Sequence, residues 1–419
     1  MEGRGPPAAH GRNPGEPRMS TPIRVAHFSD THLGYRSGTR VDSVSGRNQR
    51  TVDVDLAFTH TIDDILAQNV DAVIHSGDVF HHSRPTWQSL RHFIRQMRRF
   101  EEAGIPVLVI AGNHDTPRIR TGGSAYSVLE LALPRITFAC DYIDVPFDRP
   151  FPSLDVCIQA IPHGALTNPD PPLSMPPTDG MHNVMVLHGV APGVLPDGLQ
   201  AEPGEQDIPS HLLESTGYNY IALGHIHQAQ QVTSTAWYSG STERFGWGDE
   251  TAKPGYSIVE FTDPTQPATV TRREIETRPM IRLKPVYGNS RIGQDIATAI
   301  LETLEALASP QAMTRVDLRE VDRPTRREVH NLLRREATRY VWSCDIAPER
   351  TAFVPEGDAP VADDSILDLH ALFSEFVTLR RPNYVNQDFA AQLLERGGRA
   401  LTEALLEGET PTPEEDQLS

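Results

Sequence analysis

The chain has 419 residues, 38% hydrophobic and 22% charged, and at about 150 residues per domain that length predicts two to three domains with a sizeable core. Three scattered cysteines (Cys140, Cys157, Cys344) in no C-x-x-C spacing exclude a disulfide framework and a zinc–thiolate cluster, and the absence of any apolar run near the roughly 20 residues of a membrane span leads us to expect a soluble, cytoplasmic protein. A net charge of −18 speaks against nucleic acid, but residues 351–419 alone hold 14 acids and 4 arginines while 280–350 hold 12 bases and 10 acids, and counterion release depends on the local surface.

Residues 1–22 are Gly/Pro/Arg-rich without a hydrophobic period and read as a disordered tail. From Ile23, short apolar strands alternate with amphipathic helices: a strand at Ile23–Phe28, a helix at Val52–Gln68, a strand at Ala72–His75, a helix at Thr86–Ala103 and a strand at Val107–Ala111. This alternation predicts an α/β core with parallel strands. Further strands are expected at 155–161, 183–188 and 218–223, followed by a closing antiparallel meander at 230–239, 256–261 and 269–276. The pattern changes near Pro279, where a strand at 281–286, a helix at 292–308, a strand at 315–320 and an Arg-rich helix at 325–340 read as a small α/β domain over residues 280–350. A Pro/Asp/Gly/Ala linker (351–363), two amphipathic helices (364–379 and 387–406, within a segment 364–406) and an acidic tail (407–419) complete the chain.

The expected strands end in polar clusters: Asp30-Thr31-His32, Gly77-Asp78-Val79-Phe80-His81, Gly112-Asn113-His114-Asp115, the single His188, and Gly224-His225-Ile226-His227. All would emerge at the carboxyl edge of a sheet, where open α/β folds place ligands. Carboxylates, an amide and imidazoles without thiolates suit Mn, Fe or Zn in a non-structural site. His27, His60, His75, His82, His92, His163 and His182 lie outside these clusters and read as packing or surface residues.

In this order, D-x-H, G-D-x-x-H, G-N-H-D, H and G-H-x-H, the clusters resemble the signature of the calcineurin-like metallophosphoesterases. The surrounding text, Asp30 to Arg36, Gly46-Arg47-Asn48-Gln49-Arg50, Gly112 to Pro117, and Tyr238 to Arg244 with Lys253-Pro254-Gly255-Tyr256, is similar to SbcD-type nucleases, the nuclease subunits of double-strand-break repair complexes. The resemblance spans about residues 23–280. It implies a four-layer αββα sandwich over residues 23–279, a capping domain at 280–350 and a C-terminal helical pair that binds a partner.

The resemblance further implies two divalent metal ions, most often Mn2+, bridged by Asp78, with Asp30, His32 and His227 on one and Asn113, His188 and His225 on the other. A cation pair about 3.5–4 Å apart would clamp a phosphodiester and supply the nucleophile from water, so no Ser or Cys nucleophile is needed. His114 matches the family histidine beside the scissile phosphate, His81 matches one that positions the phosphate, and Asp115 is expected to fix the tautomer of His114. Arg36, Arg47, Arg50, Arg118 and Arg120 border the expected metal edge and are candidates for DNA-backbone contacts. The implied function is a DNA exonuclease/endonuclease subunit acting at DNA ends as a homodimer with an SbcC-like SMC-family ATPase. A stand-alone phosphoesterase on nucleotides and a DNA-end tethering subunit stay open as alternatives.

Overall fold

The computed structural model describes residues 22–117, 123–140, 145–147, 151, 154–167, 177–194, 206–215 and 217–347. The expected linker, helical pair and acidic tail, Arg118 and Arg120 therefore lie outside the described residues, as do residues 1–21 of the expected N-terminal tail.

In chain order the first half contains β1 (Ile23–Phe28), α1 (Gln49–Ala67), β2 (Ala72–His75), α2 (Trp87–Ala103), β3 (Val107–Ile110), α3 (Tyr126–Ala132), β4 (Ile136–Ala139), β5 (Val145–Phe147) and β6 (Val156–Ile161). Next come α4 (His163–Leu166), β7 (His182–His188), α5 (Ser210–Leu213), β8 (Tyr220–Gly224), β9 (Gln230–Gln231), β10 (Ala236–Tyr238), β11 (Gly255–Phe261) and β12 (Thr269–Glu274). These strands form two six-stranded sheets, ordered β12-β11-β1-β2-β3-β4 and β5-β6-β7-β8-β10-β9.

Two-residue periodicity assigns the faces of both sheets. Val25, Ile74, Leu108 and Ile110 of the first sheet meet Ile158, Val184, Val186 and Ala222 of the second in one buried cluster. The alternate residues Ala26, Phe28 and Val73 turn outward onto Phe58 and Ile62 of α1 and Phe93 and Met97 of α2. On the far side, Met185, Leu187, Ile221 and Leu223 are covered by Leu212 and Leu213 of α5. The result is an α/β sandwich of four layers, αββα.

Local chemistry sets the helix ends. Asn48 caps α1 by accepting from the amides of Arg50 and Thr51, and Thr86 caps α2 by accepting from Ser89. Gly104 closes α2 in the left-handed region at φ 72°.

The expected closing meander is corrected. β10 runs parallel to β8 and pairs with β9 in the second sheet, whereas β11 crosses back to pair antiparallel with β1 in the first. Ile258 and Val259 face opposite sides of that sheet and are both buried, one under the helices and the other between the sheets, so β11 is an internal strand.

Beyond Met280 lie β13 (Met280–Arg282), β14 (Val286–Tyr287), α6 (Gly293–Leu307), β15 (Met313–Val316), β16 (Leu318–Arg319), α7 (Arg323–Glu336) and β17 (Ser343–Ile346). β13, β15 and β17 form a parallel sheet, and β14 pairs with β16. The single strand expected at 281–286 is split, because Pro285 offers no N–H to a ladder. Ile296, Ile300 and Leu304 of α6 pack with Val329 and Leu333 of α7 over Val316. Arg278 ties this part to α1: it grips Asp53 at 2.7 and 2.8 Å and reaches the Gln311 carbonyl at 3.0 Å.

Candidate metal centre

Every ligand expected from the sequence arrives at the same edge of the sandwich. Asp30 and His32 follow β1, Asp78 follows β2, Asn113 follows β3, His188 ends β7, and His225 and His227 follow β8. Asp30, His32, Asp78 and His225 are four of the nine non-glycine residues with positive φ among the described residues, at 51°, 40°, 56° and 102°. Such backbone is costly and persists where surroundings over-determine it. Here the surroundings are bonds between the loops: Asp30 N–H donates to the Gly77 carbonyl, and Thr31 and His32 N–H both donate to the Asp78 carbonyl. Gly112 cannot carry a side chain, since a Cβ there would stand 2.1 Å from Asp78 Oδ1.

Asp78 lies at the centre. Its Oδ2 is 3.6 Å from His32 Nε2 and 3.3 Å from His188 Nε2, and its Oδ1 accepts from the backbone N–H of His114 at 2.9 Å. On one side, single ligand atoms of Asp30, His32 and His227 fall within 4.8 Å of one another; on the other, those of Asp78, His188 and His225 do the same. Asn113 Oδ1 joins the second group, 3.0 Å from His188 Nε2 and 3.1 Å from His225 Nδ1.

This donor set fits a pair of divalent cations. Two buried carboxylates, an amide oxygen and four imidazoles converge without a thiolate, and two positive ions would offset the buried negative charge. Two of the rings are fixed through their outer nitrogens: His188 Nδ1 donates to the Ser76 carbonyl at 2.8 Å, and His227 Nδ1 contacts Asp249 Oδ2 at 2.9 Å.

Burial and neighbouring charge set the protonation bias. Burial pushes Asp30 up, against the pull of His188 and His227. Burial also acts to raise Asp78, but the charge and bond of His188, with the charges of His32 and His114, together hold that carboxyl well below the usual range. His32 is driven well below its ordinary value by burial. Burial acts to lower His227, but the bond and charge of Asp249, with the charges of Asp30 and Asp78, together raise it.

His81 and His114 stand over His32. The His81 and His114 rings are stacked at 5.2 Å, and His114 meets His32 edge-on at 4.8 Å. His114 Nδ1 donates to the carbonyl of His81 at 2.8 Å, leaving Nε2 for the cleft. Burial, then the charge of His114, lowers His81 to about 4. A cleft of about 360 Å³ opens here, lined by His32, His81, His114, His225, His227 and Phe245.

Asp115 does something other than fix the tautomer of His114, which the His81 carbonyl does instead. Its carboxylate accepts from the N–H groups of Val79, Phe80 and Gly112 at 2.9, 2.9 and 3.2 Å, and from the Tyr126 hydroxyl at 2.9 Å. It therefore clamps the loop of Asp78 to the loop of His114.

The arginines divide. Arg36 is exposed. Arg47 pairs with Asp55 at 2.7 Å. Arg50 is 2% exposed and committed to Asp53 at 2.8 Å, the Arg244 carbonyl at 2.5 Å and Glu243 at 3.6 Å. The first turn of α1 points Arg50 into the protein, so it is a buried structural cation and not a surface contact for DNA.

Three contributors to the site escaped the sequence reading: Asp249, and the aromatic wall of Tyr35 and Phe245, whose rings lie 5.2 Å apart with Phe245 4.7 Å from His32. Of the histidines read as packing or surface, His60 is exposed and His27 is a partner between layers, contacting the Tyr220 hydroxyl at 2.7 Å and Ser76 Oγ at 2.8 Å.

A family model described as calcineurin-like phosphoesterase matches residues 23–229. The chain is similar to proteins described as DNA double-strand break repair protein Mre11. That of Haloferax volcanii is 30% identical over 262 residues, 61% of this chain and 53% of that protein. That of Saccharolobus solfataricus is 30% identical over 217 residues, 50% of this chain and 51% of that protein. That of Thermoplasma acidophilum is 29% identical over 292 residues, 68% of this chain and 71% of that protein. The alignment thus spans about half the length of the first two. Among the described residues, no helix is long and apolar enough to cross a membrane.

Proposed function

The chain belongs to the calcineurin-like phosphoesterase family, and from that premise we propose that it is a dinuclear-metal-dependent DNA exonuclease/endonuclease subunit acting at DNA ends in double-strand-break repair or recombination. The observation that carries the reading is two adjacent ligand groups, Asp30/His32/His227 and Asp78/His188/His225, with Asp78 Oδ2 3.6 Å from His32 Nε2 of the first and 3.3 Å from His188 Nε2 of its own, and two further histidines facing the same cleft. When bound, a pair of Mn2+ ions would polarise the scissile phosphate and supply an activated water as nucleophile. Asp30, His32, His227 and Asp78 would hold one ion; Asp78, Asn113, His188 and His225 the other.

The protein's own groups do the rest. Because a carbonyl only accepts, His114 must carry its proton on Nδ1, so Nε2 is the nitrogen that takes up or delivers a proton at the leaving oxygen. His81, neutral at physiological pH through burial, presents a hydrogen-bonding group to the phosphate without adding charge. Exposed Arg36 and half-buried Arg47, the latter paired with Asp55, would meet the backbone, with Arg118 and Arg120 as further candidates. The similarity to proteins named for double-strand-break repair favours DNA over small phosphate esters. As further parts of this reading we include an SbcC-like SMC-family ATPase engaged through residues 364–406, a homodimer, and a cytoplasmic location with association to the nucleoid.

The test is cleavage of an end-labelled duplex by the purified chain with Mn2+, alone and with its ATPase partner, against the Asp78→Ala variant. Loss of cleavage in the variant supports the assignment. Turnover of nucleotide monoesters with no cleavage of DNA under either condition overturns it in favour of a stand-alone phosphoesterase.

A further inference from the structure

Next to the loop that leaves the metal centre is a second cleft of about 520 Å³, between residues 37–40 and the wall formed by α7 and β17. Four side chains that carry or can take positive charge line it: Arg40 on the loop, Arg50, already committed to Asp53 and Glu243, and His330 and Arg334, which stand one helical turn apart on α7. The Arg40 guanidinium packs over the Trp342 ring, 4.7 Å from its centroid, and Arg278 packs over the same ring at 4.6 Å.

These two arginines are not equivalent. Arg278 is neutralised by its two-pronged bond to Asp53, whereas among the described residues no carboxylate pairs with Arg40 or Arg334. Burial and then the neighbouring Arg278 charge weigh on Arg40, whose ionised form meets the Trp342 ring but no carboxylate among the described residues. On the same wall, the Ser343 hydroxyl is buried without a hydrogen-bond partner. The acid on the lining, Asp345, lies close enough to Arg315 to favour that residue's charged form. The floor is apolar, made by Met313, Leu333 and Ala337.

Unpaired cations and an unsatisfied hydroxyl call for an anion. The volume and apolar floor call for more than inorganic phosphate, since sites of about 300–1,000 Å³ accommodate whole small molecules. We propose that this cleft binds a nucleoside monophosphate, its phosphate held by Arg40 and Arg334 and its base laid against Met313 and Leu333. The choice of a nucleotide over other phosphorylated molecules rests on the nuclease reading. Two sources offer that chemistry, a mononucleotide released by cleavage and the terminal nucleotide of a strand.

The experiment is isothermal titration calorimetry on the full chain in EDTA, with thymidine 5′-monophosphate, thymidine and inorganic phosphate as separate titrants. The nucleotide should bind, with thymidine and phosphate each weaker by about tenfold or more, and Arg40→Ala combined with Arg334→Ala should weaken the nucleotide by about tenfold or more, as loss of charge-assisted bonds requires. Phosphate binding as tightly as the nucleotide, or nucleotide affinity unchanged in a double variant with wild-type circular dichroism and melting, overturns the proposal. If the double variant does not fold, the reversal Arg334→Glu, at an exposed helix position, provides the same discrimination. Competition by a short oligothymidylate assigns the bound nucleotide to a strand end; failure to compete assigns it to released product. With metal chelated throughout, a negative result here leaves the cleavage assay unaffected, and failure of that assay does not alter this one.

Discussion

The Nδ1 nitrogen of His227 stands 2.9 Å from Oδ2 of Asp249, and the opposite nitrogen, Nε2, is thereby aimed at His32 Nε2, 3.2 Å away. The same Asp249 oxygen accepts from the Phe245 N–H at 3.0 Å, so ring and loop are fixed by one carboxylate. Removing it by Asp249→Ala is expected to weaken Mn2+ binding by about 10–100-fold, the usual effect of losing a partner behind a metal-binding histidine. Calorimetric titration of Mn2+ into the metal-free protein measures this, and equal affinity in variant and wild type would remove the positioning role.

His114 touches the site through its ring and holds Asp78 through its backbone N–H, which any residue at that position retains. His114→Asn should therefore keep Mn2+ affinity and DNA binding within a few-fold while lowering the cleavage rate by about 10²–10⁴. A parallel loss of metal content, measured by elemental analysis, would make His114 a ligand instead. Repair that survives this variant in vivo would favour tethering over cleavage as the principal role.

Asp53 is buried between Arg50 and Arg278. Burial raises its carboxyl, but the bond and charge of Arg278 and the charge of Arg50 prevail, and its pKa is depressed on folding. A depressed carboxylate stabilises the fold above its unfolded pKa of about 3.9 and loses that contribution as pH falls through the folded value. Asp53→Asn should cost about 3 kcal/mol near neutrality, as breaking a buried pair does. In urea titrations the gap between variant and wild type should close as pH drops below about 4; a gap independent of pH would show that charge is not the cause.

Asp115 satisfies three backbone donors and the Tyr126 hydroxyl, all buried. Asp115→Ala is expected to destabilise the chain by about 3 kcal/mol through the orphaned N–H groups. It should also release the Asp78 loop, so that metal affinity falls with stability. Thermal melting with and without Mn2+ reads both effects, and an unchanged melting point would contradict the clamp.

The ligands of the candidate centre were legible because each follows a strand whose apolar run has a clear end, and parallel strands bring such ends to one edge. Asp249 was not: it lies 22 residues beyond His227, in a loop without period or motif, and its role exists only in the folded protein. Arg50 was misread because an arginine in a polar loop looks exposed, whereas the cap at Asn48 starts α1 at Gln49, three residues before the expected Val52, and turns the side chain inward. Strand β17 was missed because Ser343–Ile346 holds Cys344 and Asp345 and lacks an alternating apolar pattern. The course of β11 was hidden for a different reason. Sequence pattern marks a strand but does not say which sheet will accept it.

That course has a consequence for how the protein is made. In the first sheet β1 lies between β2 and β11, with Ile23 opposite Phe261 and His27 opposite Ser257, 238 and 230 residues away. At about 5–20 residues per second, a ribosome needs roughly 10–50 s to deliver the second partner after the first strand emerges. Throughout that interval β1 shows one open edge, and the two histidines after β8 have only just been synthesised when the sheet can close. The candidate centre is thus among the last parts of the nascent domain to form, and any holding factor that shields an exposed strand edge would act on β1 first.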